Sequence, residues 1–273
     1  MRTIICIVAL QLLSFLSIAQ DIQQKNVPAV VLNAFQLKFP NTTETQWKLE
    51  KGNYRIDFEV NNKDNNLLMN DKGRLLSHQQ DLYVSEIPKI VLETIQSRVA
   101  FFDINDADKL EENGTIVYKI YAKINEKSHE FRIDDKGKML KYSKELKNSE
   151  LPSSIATLIR SKYGSFDFDE AKVTEEGGKI SYQLKVEIDD NDHEFLFNDK
   201  ASIIKHEHEL RTSEIPVAVI NGAKAAYNGF EIRKAELSEE GEKSVYTLEL
   251  KRSKEKFEVL FNQNGDVLEV RNK

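Results

Sequence analysis

Apolar residues along this chain switch between two periods, and the switch recurs four times. Val27, Val31, Phe35 and Phe39 lie four apart, as do Ile87, Val91, Ile95 and Val99. Leu151, Ile155, Ile159 and Tyr163, and then Ile215, Val219, Ala223 and Tyr227, repeat the stripe. A spacing of four approximates the helical 3.6, so each stretch predicts an amphipathic helix with one buried face. Further on the period becomes two: Tyr54, Ile56, Phe58 and Val60 alternate with Arg55, Asp57 and Glu59, and Tyr182, Leu184, Val186 and Ile188 with Gln183, Lys185 and Glu187. That alternation predicts antiparallel strands with one face packed and the other wet, the packed face covered by helix.

The register of these repeats is strict. Tyr54, Tyr118, Tyr182 and Tyr246 are each 64 residues apart, as are Gly73, Gly137, Ala201 and Gly265. Val27-Pro28, Ile87-Pro88, Leu151-Pro152 and Ile215-Pro216 open the units, with Ser-Glu ahead of the last three. Proline disfavours helical geometry in the residue before it and loses nothing in a first turn, which predicts the prolines at the first helical position. A short strand near Trp47 or Leu110, the Tyr-led strand, a third strand (Phe131 and Ile133; Phe195 and Phe197), a tight turn such as Asn70 to Gly73 or Asp134 to Gly137, and a fourth strand complete each unit. The fold expected is α+β: tandem repeats of one helix followed by a four-stranded antiparallel meander, the helix packed on one sheet face. Residues 1–19 form a leader, and the repeats span 20–84, 85–148, 149–212 and 213–273. Links of some four residues, such as Lys147 to Glu150, predict that neighbouring units touch, in pairs sharing a sheet or a core. The four tyrosines are expected to be largely buried between helix and sheet. Ala201, where the other units have glycine, predicts a strained turn or one of another type.

The leader sets the compartment. Arg2 is the only charge in the first nineteen residues, the stretch from Ile4 to Ile18 is apolar, and Ser17 and Ala19 are small. This predicts a secretory signal cleaved between Ala19 and Gln20, hence a periplasmic or secreted protein with no stable membrane span after cleavage. Cys6 is the only cysteine and leaves with the signal, so the mature chain has no disulfide, thiol nucleophile or thiolate metal site. Loss of Arg2 takes the formal charge from −6 to −7, with both signs interspersed and no basic stripe, which argues against nucleic acid as a partner.

The Leu/Ile-Pro helix opening, the Tyr-led alternating strand, the aromatic third strand and the Asp-x-x-Gly turn resemble the PepSY-like, beta-lactamase-inhibitor-like domains of exported bacterial proteins. The resemblance covers nearly all of residues 27–273 in four copies. It implies an exported protein. The namesake inhibitors bind an enzyme through a concave sheet surface made by two such units, and related modules occur in protease propeptides. No inhibitory contact residue carries over. Ala201 in place of the turn glycine, and Val259 where the second and third units have Phe131 and Phe195, depart from the pattern.

Candidate chemistry is sparse. His206 and His208, two apart in a fourth strand, share a face and make a zinc or copper half-site. The repeat equivalents of His206 are His78, Tyr142 and Val270, so packing is the reading preferred and no metal or other cofactor is expected. His129 and His193 are equivalents of each other and read as solvated edge residues. Asp189 to Asp192 read as a polar hairpin loop, lacking the ligand spacing of a calcium loop. No serine, histidine and acid fall in a recognisable catalytic motif, so no enzyme is expected. Tyr121, flanked by Lys119 and Lys123 on the predicted wet face, is the candidate anchor for a protein partner, tyrosine being enriched in binding hot spots. The expected function is therefore an exported, non-enzymatic protein that engages a protein partner, inhibitor-like, through the solvent face of its sheets; the alternative is a periplasmic protein that binds a small ligand or metal.

Overall fold

The structure, a computed structural model, describes residues 20–272; the leader expected at 1–19 lies outside them. The chain divides into two compact units, one ending at Ser77 and the other beginning at His78. In the first, β1 (Gln20–Ile22) pairs antiparallel with β2 (Thr43–Glu50), followed by β3 (Asn53–Val60) and β4 (Lys63–Met69). Strand β1 lies outside the four-strand expectation. Helix α1 (Ala29–Lys38) buries Val31 and Phe35, and the Phe35 ring meets Trp47 and Phe58 edge-on at 5.2 and 5.0 Å, an arrangement favoured by the ring quadrupoles. The unit boundary falls inside β5 (Leu75–Asp81).

The second unit holds three repeats. The first has α2 (Lys89–Arg98), β6 (Asp103–Glu112), β7 (Thr115–Ile124), β8 (Lys127–Asp134) and β9 (Met139–Leu146). The next has α3 (Ser153–Tyr163), β10 (Asp167–Glu176), β11 (Lys179–Ile188), β12 (Asn191–Asn198) and β13 (Ile203–Glu209). The last has α4 (Val217–Ala226), β14 (Glu231–Glu240), β15 (Lys243–Arg252), β16 (Glu255–Asn262) and β17 (Val267–Asn272). All these strands are antiparallel to their chain neighbours. The repeats are joined rather than merely adjacent: β9 pairs with β10, Leu146 opposite Ala171, and β13 with β14, His206 opposite Glu239. Sharing in pairs is thus too narrow an expectation, because one continuous sheet runs from β6 to β17.

Each repeat keeps its own core. Ile87, Val91 and Ile95 cluster with Ala107, Ile120, Phe131 and Ile133; Leu151, Ile155 and Ile159 with Leu184, Phe195 and Phe197; Ile215 and Val219 with Leu248, Val259 and Phe261. Apart from Ala107, which replaces the expected Leu110 as the core residue of its strand, these are the four-spaced helix and two-spaced strand positions that the repeat pattern predicts. The recurrent tyrosines are less uniform than expected. Tyr118 is 9% exposed, whereas Tyr54, Tyr182 and Tyr246 are half-buried. Tyr182 faces Phe197, one residue before the turn, so the ring lies at the end of the sheet, where a tyrosine packs its apolar body and keeps its hydroxyl near water.

The prolines sit one position earlier than expected, at the N-cap: Pro28, Pro88, Pro152 and Pro216 have ψ of 128–140° while their carbonyls already accept helical N–H groups. The preceding Ser-Glu also acquires a physical role, and the glutamate carries it. Glu86, Glu150 and Glu214 each accept the backbone N–H of the residue three earlier, at 2.8, 2.8 and 2.7 Å, closing a short 3₁₀ turn that delivers the chain from strand to helix. The turn at Asn198 to Ala201 is of the same type as its glycine-bearing counterparts. In all four turns the opening Asn or Asp accepts N–H groups two and four residues on, and Ala201 stands at φ +59° where Gly137 has +81°. A Cβ at Gly137 would lie 2.5 Å from Ile90 Cγ1. The third repeat, with its alanine, carries the smaller Ser154 at the position of Ile90.

Candidate functional site

Alternation along β7 turns Tyr118, Ile120 and Ala122 into the core, so Lys119, Tyr121 and Lys123 share the opposite, open face. The register extends that face across the joined repeats. Tyr121 stands opposite Asp106 and Glu130, Lys119 opposite Asp108 and Arg132, Glu130 opposite Ser143. Glu130 is nearly buried, hydrogen-bonded by Arg132 at 2.9 Å, with Lys172 of the next repeat 3.6 Å away. Burial works to raise its carboxyl, but the Arg132 hydrogen bond and the charges of Lys141, Arg132 and Lys172 outweigh that and hold it below the ordinary value. The half-buried Tyr121 hydroxyl is pushed up, first by burial and then by the charges of Glu130 and Asp108.

Two grooves open on this face at equivalent places. One, about 410 Å³, lies where β9 meets β10 and includes Tyr121, Lys123, Ser128, Glu145, Glu170 and Lys172. The other, about 380 Å³, lies where β13 meets β14, and its corresponding positions carry Lys185, Asp192, Glu209, Lys234 and Glu236. Each is therefore a property of the repeat junction, lined with different side chains. The first mixes charges; the second is predominantly acidic, with Lys234 held between Glu209 and Glu236 at 2.6 and 2.8 Å. Of the three expected partner-binding residues, Tyr121 and Lys123 border a groove while Lys119 lies beside it on the same face.

The histidines fall on the other face. Solvated edge roles for His129 and His193 are overturned: they are 6% and 8% exposed, because their strand positions alternate in phase with the buried Phe131 and Phe195. His129 Nδ1 lies 3.0 Å from the Tyr142 hydroxyl. In the next repeat His193 Nδ1 lies 2.9 Å from His206 Nε2, and His208, opposite His193 across the strands, completes a cluster whose ligating nitrogens all lie within 4.8 Å of one another. His206, 3% exposed, fits the packing expectation as far as burial goes, its ring stacked on Phe195 at 4.1 Å. Its Nδ1 faces Glu239 Oε2 at 3.3 Å and the Tyr163 hydroxyl at 3.4 Å. His208 Nδ1 is buried and has no hydrogen-bond partner among the described residues. Burial, reinforced by the neighbouring imidazoles, lowers His193 to about 4 and His206 to about 3, and burial also lowers His208, so all three are neutral at pH 7. His206 and His208 are legible in the sequence as a half-site, whereas His193 was expected at a solvated edge. Its signal was the alternation itself, which puts position 193 on the core face with 195 and 197.

With this geometry, the pattern of the PepSY-like, beta-lactamase-inhibitor-like family matches four segments of the chain: residues 17–77, 76–141, 139–205 and 194–269. The chain belongs to the PepSY-like family. Among solved structures it is similar to a DUF2874 family protein from Bacteroides ovatus, with 18% identity and a TM-score of 0.36 over 42% of this chain and 85% of that one. It is also similar to a BLIP-like protein from Bacteroides fragilis, with 15% identity and a TM-score of 0.35 over 41% of this chain and 82% of that one. No curated protein matches. No helix among the described residues is long and apolar enough to cross a membrane.

Proposed function

We propose that this PepSY-like chain is an exported, non-enzymatic binding protein, periplasmic or secreted, that engages a protein partner in an inhibitor-like manner. Each repeat acts as a four-stranded meander backed by its helix, which leaves the open face as the working surface. The observation that carries this reading is the pair of equivalent grooves: one scaffold presents Tyr121, Ser128 and Lys172 at one junction and Lys185, Asp192 and Glu236 at the next. An extended protein partner needs different contacts along one frame, and a half-buried tyrosine among charges has the composition of an interface anchor. Neither nucleic acid nor a lipid bilayer is invoked as a partner. A second reading, a periplasmic metal- or small-ligand-binding protein, is favoured by the clustered imidazoles of the third repeat.

The partner reading is tested by affinity capture from the envelope extract of the source cells, comparing the unaltered protein with Tyr121→Ala and with Lys119→Glu/Lys123→Glu. A protein retained by the first and depleted with both variants is the expected result. Equal recovery with all three, or none with any, removes the open face from the function.

A further inference from the structure

We propose that His193, His206 and His208 form a binding site for a divalent transition cation of the zinc and copper class, with Glu239 orienting His206. Three imidazoles on two paired strands supply the nitrogen donor set those ions prefer, with a fourth position left for water or a ligand. The His193–His206 nitrogens, 2.9 Å apart, must share one proton; an ion bound at about 2.0–2.1 Å from each needs them separated by only a few tenths of an ångström more. The buried His208 Nδ1 has no partner among the described residues, and a buried polar atom in that state is costly unless something outside the protein satisfies it.

The surroundings agree with this assignment. His206 turns Nε2 toward His193 and Nδ1 toward the Glu239 carboxylate, the arrangement by which an outer carboxylate fixes the tautomer and raises the basicity of a ligating imidazole. The three rings stack nearly parallel, 3–16° apart, so an ion is approached from the ring edges, with modest ring rotation completing the coordination. The three-imidazole set is specific to one repeat: where the third has His193, His206 and His208, the first has Asn65, His78 and Gln80, the second His129, Tyr142 and Lys144, and the fourth Phe257, Val270 and Asn272.

The full chain, stripped with EDTA, is titrated with ZnCl2 and separately with CuSO4 by calorimetry, and stoichiometry is read by native mass spectrometry. The expected result is one ion per chain, with a thermal midpoint that rises with metal. His206→Tyr and His208→Lys, each writing in the second repeat's residue, should weaken binding at least tenfold, and Glu239→Gln by about tenfold. Should His206→Tyr fail to fold, His208→Lys at a half-buried position carries the test, circular dichroism reporting its fold. Copper-loaded protein should show nitrogen hyperfine coupling that His208→Lys reduces. Absence of stoichiometric binding, or binding unchanged in His208→Lys, overturns the assignment. Partner capture by the Tyr121 face is a separate readout, so either result stands whatever the other shows.

Discussion

In the second repeat the imidazole of His129 ends its hydrogen bond on the Tyr142 hydroxyl, whereas in the third the equivalent His193 meets a second imidazole, His206, with His208 beside it. Around Tyr142 the polar group is closed off: Arg98 lies 4.0 Å over its ring and is paired with Glu175. In the third repeat the equivalent of Arg98 is Lys162, and Glu239, the equivalent of Glu175, faces His206 instead. The fourth repeat has Phe257 and Val270 at these positions. Across the last three repeats one location thus holds an apolar pair, a satisfied polar pair, or a group of donors with a nitrogen to spare. Packing needs only the first, which makes the third the unusual one.

The largest expected effect tests whether the two repeats are equivalent in their cores. Phe131 and Phe195 are both fully buried at the same register, one packed on Tyr142 at 5.1 Å and the other on His206 at 4.1 Å. Phe131→Ala and Phe195→Ala should each cost about 3–5 kcal/mol in urea denaturation. A loss under about 1 kcal/mol for either shows that its repeat is not held by the ring that the alternation puts in its core.

The turns sharpen the contrast at smaller scale. Gly137→Ala places a Cβ against Ile90 at positive φ and should cost about 1–3 kcal/mol, while Ala201→Gly should gain about 1 kcal/mol. Adding Ile90→Ser to Gly137→Ala recreates the third repeat's pair and should recover part of the loss. A denaturation midpoint lowered by Ala201→Gly would mean that its methyl group contributes more to the core than the backbone strain costs.

Acid separates the repeats by slope. Burial, then the charges of Lys144 and Lys127, lowers the pKa of His129. Its neutral form is native, so stability that is intact above the unfolded value near 6.5 is lost as pH falls below it, where the unfolded chain takes up the proton first. His129→Phe, the fourth repeat's residue, should flatten the stability profile below pH 6.5 whatever it does at pH 8. An unchanged slope shows that this imidazole is protonated in the native state.

These effects mark what could be read from the sequence. Helix stripes such as Val91 and Ile95 and strand sets such as Leu184 and Val186 were legible because period alone assigns a buried face. The joined sheet was not: the Leu146–Ala171 and His206–Glu239 pairings bring together strands from different repeats, separated by a whole helix, and no local period reports them. The histidine cluster was half legible for the same reason. His206 and His208 lie on one strand, while His193 reaches them only through cross-strand register.

The smallest expected effect on stability concerns the open face, where the comparison turns to function. Tyr121 and Lys185 occupy equivalent groove positions in the second and third repeats, so Tyr121→Lys writes one groove's residue into the other. Neither residue points into a core, and the incoming ammonium would lie near Asp106, Asp108 and Glu130, which can accept its charge. Stability should therefore stay within about 0.5 kcal/mol of the unaltered protein, as for surface positions. If the tyrosine anchors a partner, capture should weaken by about 1 kcal/mol or more, because lysine supplies neither the rigid ring nor its apolar area. If the grooves serve only as solvated seams between repeats, Lys185 shows that the junction tolerates lysine, and capture will not change. A partner retained by Tyr121→Lys but lost with Lys185→Tyr would move the working surface to the acidic groove above the histidines.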